Sequence, residues 1–266
     1  MTIRDLLLQS SIERTDAELL AAHALGKTRS WILAHDDEDV SDGVTSQVAS
    51  MMKRRQGEEP LAYIICSKEF YGRDFFVRPD VLIPRPATEH LVEDVLLFLR
   101  GKNPVTHEID RGISSFILRL RGETPKVLVD IGTGSGCIAI TLALEGCGQS
   151  IIGVDTSPKA LEVAEKNRKE FETENVRFVL DDGIDFVRSM AEPFLLVSNP
   201  PYIPSGTRLG KTVAQFEPHE ALFAGEDGME VITPLLKAAR ENEKCIGAIL
   251  EMRSEQAQSL TPQAFA

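Results

Sequence analysis

Apolar residues in the first part of the chain recur at helical spacing. Ala17, Leu20, Ala21 and Ala24 follow the i, i+3, i+4, i+7 stripe of a helix with one buried face. Thr15-Asp16-Ala17-Glu18 reads as a capping box, with Thr15 as N-cap and Glu18 reaching back to the free backbone amide. Gly26 lies where a helix stop is expected. Val44, Val48, Met51 and Met52 form a second stripe, ending in Lys53-Arg54-Arg55, which suits a helix C-terminal dipole. Residues 1–60 are thus predicted to be a helical domain.

The pattern changes after Pro60. Residues 61–65 and 75–77 are short β-prone runs, with Phe70-Tyr71-Gly72 at a bend between them, so 61–83 is predicted to be a linking β-hairpin. Pro84-Arg85-Pro86 is stiff and extended, and Thr88 is a good N-cap for an apolar helix over 91–99. Residues 101–125 are polar and broken by Gly and Pro, with a weak apolar patch at 113–120, and read as a long loop or insertion. From Lys126 onward strand and helix signals alternate. Strands are expected at 127–129, 151–154, 176–180, 194–198 and 246–250, and helices at 138–144, from Ser157-Pro158 onward, and at 228–240. This alternation predicts an α/β fold with right-handed crossovers and a mainly parallel sheet. The second domain is therefore placed at 84–266.

Charge and composition narrow the function classes. The chain has 266 residues and a net charge of −12. Residues 1–80 carry 10 basic and 14 acidic residues, so no basic arm hides inside the acidic total. Duplex DNA and anionic lipid are poor partners for such a chain, because counterion release needs clustered basic charge. Cys66, Cys137, Cys147 and Cys245 form no CxxC pair, so neither a metal site nor a disulfide framework is expected. No apolar run reaches the ~18 residues of a membrane span. The N-terminus fits neither a secretory signal nor an acid-poor transit peptide. These readings predict a soluble intracellular protein, cytoplasmic or, in a eukaryote, in the mitochondrial matrix.

Three motifs carry chemistry. Asp130-Ile131-Gly132-Thr133-Gly134-Ser135-Gly136 leaves a strand and enters a helix, where a ligand can approach the backbone closely. It lacks the Lys of a phosphate-binding Walker loop, and Cys137 stands where a dinucleotide fingerprint needs glycine. What remains is D-x-G-x-G-x-G, the pattern by which S-adenosylmethionine-dependent methyltransferases hold the methionine part of the cofactor; a tight structural turn is the alternative. Asp155 ends the next strand, 23 residues beyond Gly132, where a carboxylate can accept from both hydroxyls of a ribose. Asp182 follows the third strand and faces the adenine end in such folds, with Asp181 beside it as an equal candidate.

The third motif is Asn199-Pro200-Pro201-Tyr202, directly after the fourth strand. It is either a rigid turn or the signature of methyltransferases acting on planar amino or amide nitrogen. An amide nitrogen is a poor nucleophile because its lone pair is delocalised. If the Asn199 side-chain oxygen and the Pro200 carbonyl each accept one N–H, the nitrogen is fixed and its lone pair can face a sulfonium methyl. The prolines stiffen the loop and Tyr202 can pack on the planar group. Catalysis then consists of alignment and electrostatics rather than general base chemistry.

Together these residues resemble the peptide-chain release factor glutamine N5-methyltransferases, the HemK/PrmC family. The likeness covers about 15–252 and includes Pro60-Leu61-Ala62-Tyr63-Ile64, Phe70-Tyr71-Gly72, Val81 to Glu89 through Pro84-Arg85-Pro86, the glycine-rich turn, Val197 to Ile203, and Phe216-Glu217-Pro218 to Gly228. The resemblance implies a helical bundle beside a Rossmann-like class I methyltransferase sheet. It implies S-adenosylmethionine as cofactor, with S-adenosylhomocysteine as product, held by Asp130, Gly132, Thr133, Gly134, Ser135, Gly136, Asp155, Asp182 and Asn199. It also implies the glutamine of the Gly-Gly-Gln loop of class I release factors as substrate, bound by Asn199, Pro200, Pro201 and Tyr202. Asn199, Pro200 and Tyr202 would carry the catalysis, with no metal, in a monomer.

The chain departs from that family at four places. Cys66 stands where glycine is usual, Ala87 replaces an acidic residue, Gly183 stands where an aromatic often lies against adenine, and 101–125 is longer than the usual connection. After Glu251-Met252 only a short polar stretch leads to Ala266, so the last two strands of the sheet are expected to be missing and one edge exposed. Two other readings compete: a nucleic-acid adenine-N6 methyltransferase, which would need a basic face, and a truncated binding homologue that no longer transfers methyl groups.

Overall fold

A computed structural model of the protein describes residues 1–102, 104–110 and 112–260. It separates into two compact units, Met1–Ser67 with Leu209–Phe216, and Lys68–Arg208 with Glu217 onward.

The first unit is helical: α1 (Ile3–Leu8), α2 (Arg14–Leu25), α3 (Arg29–Ala34), α4 (Asp42–Gln56) and α5 (Leu61–Ile65). The two predicted stripes bury Ala17, Leu20, Ala21, Val48, Met51 and Met52 in one cluster with Ile3, Leu6, Leu7, Ile32 and Ile64. Gly26 ends α2 in the left-handed conformation at φ 62°. The predicted capping box is not formed. Helix α2 begins at Arg14, with Glu13 in the N-cap position, and Glu18 instead accepts from Arg14 Nε at 2.6 Å and Arg29 Nε at 2.9 Å. Two guanidiniums outcompete a neutral amide for that carboxylate. The basic end of α4 is tied locally: Arg54 pairs with Glu59 and Arg55 with Asp16, both at 2.6 Å.

Residues 61–65 also differ from expectation. They form a helical turn rather than a strand, burying Tyr63 and Ile64, and α5 ends on Cys66 at φ 54°. Glycine, the residue that the resemblance leads one to expect there, would be unstrained in this left-handed conformation because it has no Cβ. The hairpin lies entirely after this point, as β1 (Ser67–Phe70) and β2 (Arg73–Phe76), turning at Tyr71-Gly72.

The second unit continues with α6 (Ala87–Leu99), β3 (His107–Asp110), β4 (Ile113–Arg119), β5 (Val127–Ile131), α7 (Cys137–Leu144), β6 (Ser150–Asp155), α8 (Pro158–Glu170), β7 (Val176–Leu180), α9 (Gly183–Ser189) and β8 (Phe194–Ser198). After α10 (Lys211–Phe216), which belongs to the first unit, come α11 (Ile232–Glu241), β9 (Cys245–Arg253) and α12 (Ser254–Ser259). The sheet order is β3-β4-β9-β8-β5-β6-β7. The five strands from β9 to β7 are mutually parallel. Apolar side chains cover both faces, with Val129, Ile152, Leu196 and Leu250 in one cluster and Leu128, Ile151, Leu195 and Ile249 in the other.

The expected gap at one edge is filled from elsewhere. Among the described residues no strand follows β9, yet β9 has a neighbour: β4 pairs antiparallel with it over seven residues, Ile113↔Arg253 to Arg119↔Gly247, and β3 extends the sheet further. The stretch read as a loop or insertion therefore supplies two strands. Residues 103, 111 and 261–266 of the stretches discussed above lie outside the described residues. No helix among the described residues is long and apolar enough to cross a membrane.

Candidate active site

Parallel strands leave their loops at one edge of the sheet. The chain runs β5, β6, β7 in one direction and then returns to place β8 on the other side of β5, so the strand order reverses there. Open α/β sheets bind ligands outside the carboxyl ends at that reversal. The three predicted motifs all lie on this edge.

After β5 the backbone turns through Gly132, Gly134 and Gly136 at φ 72°, 55° and 77°. The Gly132 and Thr133 amides donate to the Val154 carbonyl at 2.8 and 3.0 Å. Asp130 lies below, 1 % exposed, and accepts from Thr133 Oγ1 at 2.7 Å through Oδ2. Its Oδ1 is buried with no hydrogen-bond partner. Burial pushes the Asp130 carboxyl up to about 7, opposed by the Thr133 hydroxyl and reinforced by the Asp155 charge.

The turn is held from underneath by residues that sequence reasoning missed. A Cβ on Gly136 would meet Phe178 Cζ at 2.9 Å, and one on Gly153 would meet the same ring at 2.6 Å and Thr133 Oγ1 at 2.7 Å. Glycine at both places lets Phe178 sit beneath the turn. The buried Asn167 of α8 donates to the Ser135 carbonyl at 2.8 Å and to the Phe76 carbonyl at 3.0 Å, and accepts from the Phe76 amide at 2.8 Å. A polar residue on the buried face of an amphipathic helix was the available signal.

Asp155, half-buried at the end of β6, accepts from the Gly134 amide through Oδ2 and from the Ser157 amide through Oδ1, both at 2.9 Å. Burial raises its pKa against those amides, and Glu220 adds a repulsive charge. Asp182 is exposed and caps α9, accepting from Ile184 and Asp185 amides at 2.9 and 3.1 Å. Asp181 accepts from the Asp182 amide at 2.8 Å. A Cβ on Gly183 would run into Ile131. The residues present fit S-adenosylmethionine. Each Asp155 oxygen keeps lone-pair capacity for a hydroxyl donor. Gly132 has open space on its Cβ side, and Asp130 presents an unpartnered carboxyl oxygen beneath the turn.

On β8, Ser198 is in register with Ile131 of β5 and Leu250 of β9. Asn199 therefore follows at the strand end between the glycine turn and Glu251. Its Nδ2 donates to Thr88 Oγ1 at 3.0 Å. Thr88 is thus not the N-cap of α6; Pro86 holds that position, and no side chain caps the helix. Pro200 is buried, while Pro201 and Tyr202 are half-buried. The Tyr202 hydroxyl donates to Glu251 Oε1 at 2.9 Å, and burial with the Glu251 charge raises its pKa. The Tyr202 carbonyl accepts from Gln256 Nε2 at 2.9 Å, which also donates to the Asp227 carbonyl at 3.0 Å. Gly228, at φ 77°, packs where any Cβ would strike the Tyr202 carbonyl. Arg85 donates to Glu217 Oε1 at 2.5 Å, and the Ile83 amide donates to Glu217 Oε2 at 3.1 Å. Glu251 and Gln256 are further residues the sequence reading missed, and Thr88, read only as an N-cap, contacts Asn199 instead. A lone carboxylate inside the apolar run of β9 was the one signal for Glu251.

Among the described residues no group of three or more His, Cys, Asp or Glu could hold a metal ion.

Comparison with known proteins adds two family models and a set of relatives. Residues 2–65 match the PrmC N-terminal domain and residues 105–221 the methyltransferase small domain. The release factor glutamine methyltransferase of Bordetella pertussis is 36% identical over 239 residues, 89% of this chain and 80% of that one. The enzyme of the same name from Koribacter versatilis is 36% identical over 233 residues, covering 87% and 75%. That of Escherichia coli is 33% identical over 261 residues, covering 97% and 86%.

Proposed function

Since the chain belongs to the release factor glutamine methyltransferase family, we propose that it transfers a methyl group from S-adenosylmethionine to the side-chain amide nitrogen of the Gly-Gly-Gln glutamine in a class I release factor. Bound S-adenosylmethionine supplies an electrophilic methyl on a sulfonium and leaves as S-adenosylhomocysteine. Gly132 to Gly136 and Asp130 would hold its methionine end, and Asp155 would accept from its ribose hydroxyls. Asp182 serves the adenine end through the α9 terminus it caps.

The observation that carries the reading is the committed state of the Asn199 amide. With Nδ2 spent on Thr88 Oγ1, Oδ1 is the end left to accept an N–H from a substrate. A second N–H goes to the Pro200 carbonyl, so the substrate nitrogen is held with its lone pair outward. The nitrogen held this way would take the methyl group, the new N–C bond replacing the C–S bond of the cofactor, and would release one proton to solvent. Pro200 and Pro201 keep the loop rigid, so little order is lost on binding. Tyr202 lines the pocket, fixed by its hydroxyl. The helical first unit recognises the release factor. The protein works as a monomer where translation termination occurs, in the cytoplasm or the mitochondrial matrix.

Labelled S-adenosylmethionine offered with release factor or with DNA tests this reading. Label is expected in the release factor, and Asn199→Ala is expected to abolish transfer while calorimetry still detects cofactor binding. Label in DNA alone would overturn the assignment in favour of adenine-N6 chemistry, which the net charge of −12 disfavours.

A further inference from the structure

We propose that Gln256 is a positioning residue that clamps the Asn199-Pro200-Pro201-Tyr202 loop from its far end, so that Asn199 and the Pro200 carbonyl stand ready for the substrate amide. The inference rests on the methyl-transfer reading above and deepens it. Pro200 and Pro201 have no backbone N–H, so the middle of the loop can be hydrogen-bonded only through its carbonyls. The Pro200 carbonyl is kept for the substrate. An anchor must therefore bring a donor of its own to a neighbouring carbonyl.

The buried Gln256 brings it. Its Nε2 donates to the Tyr202 carbonyl at 2.9 Å and to the Asp227 carbonyl at 3.0 Å, while its Oε1 accepts from the Arg253 amide at 2.9 Å. All three partners are backbone groups whose donor or acceptor role cannot change, so the side-chain amide has one orientation. Gly228, next to Asp227, leaves room for this approach, since a Cβ there would strike both the Tyr202 carbonyl and Gln256 Nε2. Beyond Tyr202 the contact continues as a short ladder. The Ile203 amide donates to the Leu222 carbonyl at 3.0 Å, the Ala224 amide to the Ile203 carbonyl at 3.0 Å, and the Ser205 amide to the Gly225 carbonyl at 2.7 Å. Gln256 closes that ladder at the end nearest Asn199.

The platform under Gln256 is itself fixed. Ser254 opens α12; its amide donates to the Gly112 carbonyl at 2.7 Å, and its Oγ accepts from Ser114 Oγ at 2.8 Å. The stretch around β4 thereby supports the loop through α12. A plain helix cap does not account for Gln256. Capping needs only an acceptor at this position, which the oxygen supplies to Arg253 and which glutamate would supply equally. Both N–H groups of Nε2 are left over from that role, and both are used to tie Tyr202 to Asp227.

The test uses the full chain and a purified class I release factor, with Gln256→Glu, which keeps the acceptor of the cap but turns an oxygen toward two carbonyls. The kcat/KM for release factor is expected to fall about ten- to hundred-fold. Calorimetric affinity for S-adenosylhomocysteine is expected to stay within about twofold of wild type, since the glycine turn and Asp155 belong to the ends of β5 and β6. Amide exchange at Ile203 and Ser205 is expected to quicken about tenfold, with β5 and β6 unchanged. Wild-type kcat/KM would reduce Gln256 to a helix cap and overturn the inference. An equal fall in S-adenosylhomocysteine affinity, or unchanged exchange at Ile203 and Ser205, would overturn it too. Should Gln256→Glu fail to fold, Gln256→Met, of similar length and without a donor, carries the same comparisons. A wild-type chain that binds S-adenosylhomocysteine but methylates no release factor would instead overturn the functional reading on which the inference rests.

Discussion

Replacing Asn167 with alanine isolates how the glycine-rich turn is held. The side chain makes three hydrogen bonds: one from the Phe76 amide at 2.8 Å and two to the Phe76 and Ser135 carbonyls at 3.0 and 2.8 Å. Asn167 is 1 % exposed, so truncation strands one backbone N–H and two carbonyls away from easy solvent access. At about 1 kcal/mol net per bond, with desolvation of the orphaned groups added, the second unit should lose about 3–4 kcal/mol of unfolding free energy. Asn167→Asp keeps the acceptor for Phe76 but sets a carboxylate against two carbonyls, and should do no better. One of the three bonds ends on Ser135 in the turn itself. If its ~1 kcal/mol of preorganisation is lost, S-adenosylhomocysteine affinity falls about fivefold. Urea unfolding followed by hydrogen exchange at β5 and β6 gives the first quantity, and calorimetry gives the second. A loss below about 1 kcal/mol together with unchanged affinity would refute the idea that this side chain anchors the turn.

Other consequences are equally direct. Cys66 holds φ 54° at the end of α5, so Cys66→Gly should stabilise the first unit by about 1 kcal/mol, read as a higher midpoint in thermal or urea unfolding; a lower midpoint would contradict the strain argument. Asp130 is pushed up to about 7, so near neutrality a large share of the carboxyl is protonated. A ligand bearing an ammonium selects the charged form, so S-adenosylhomocysteine should bind more tightly as pH rises from about 6 to about 7.5, below the ligand's own α-amino pKa. Asp130→Asn should flatten that profile, and an unchanged slope would remove Asp130 from the cofactor site. Pairing of β4 with β9 predicts slow amide exchange along both strands, and fast exchange at residues 113–119 would return that stretch to a loop.

Legibility in the sequence followed how local each signal was. The alternation from β5 to β9, the Ser157-Pro158 start of α8 and the glycine turn are written in adjacent residues, so spacing alone placed them. Asn199 to Tyr202 could be assigned to the carboxyl edge because it directly follows an apolar run. Where a distant partner decides the outcome, local reading failed. Thr15 and Glu18 form a plausible box, but Arg29 lies eleven residues away and captures the carboxylate. Residues 61–65 carry strand-forming side chains, yet burying Tyr63 and Ile64 makes a helical turn of them. The 113–119 stretch reads as no more than a weak apolar patch because Ser114 and Ser115 interrupt it, and both are buried by pairing with β9, over a hundred residues later. Glu251 was passed over for the same reason: its partner Tyr202 lies forty-nine residues earlier, on another element.

The most direct test of the account is mass spectrometry of the Gly-Gly-Gln peptide from a class I release factor after incubation with this protein and S-adenosylmethionine. The account predicts one added methyl group on the glutamine side-chain amide, absent with Asn199→Ala. An unmodified glutamine, under conditions where the protein binds S-adenosylhomocysteine, would contradict it.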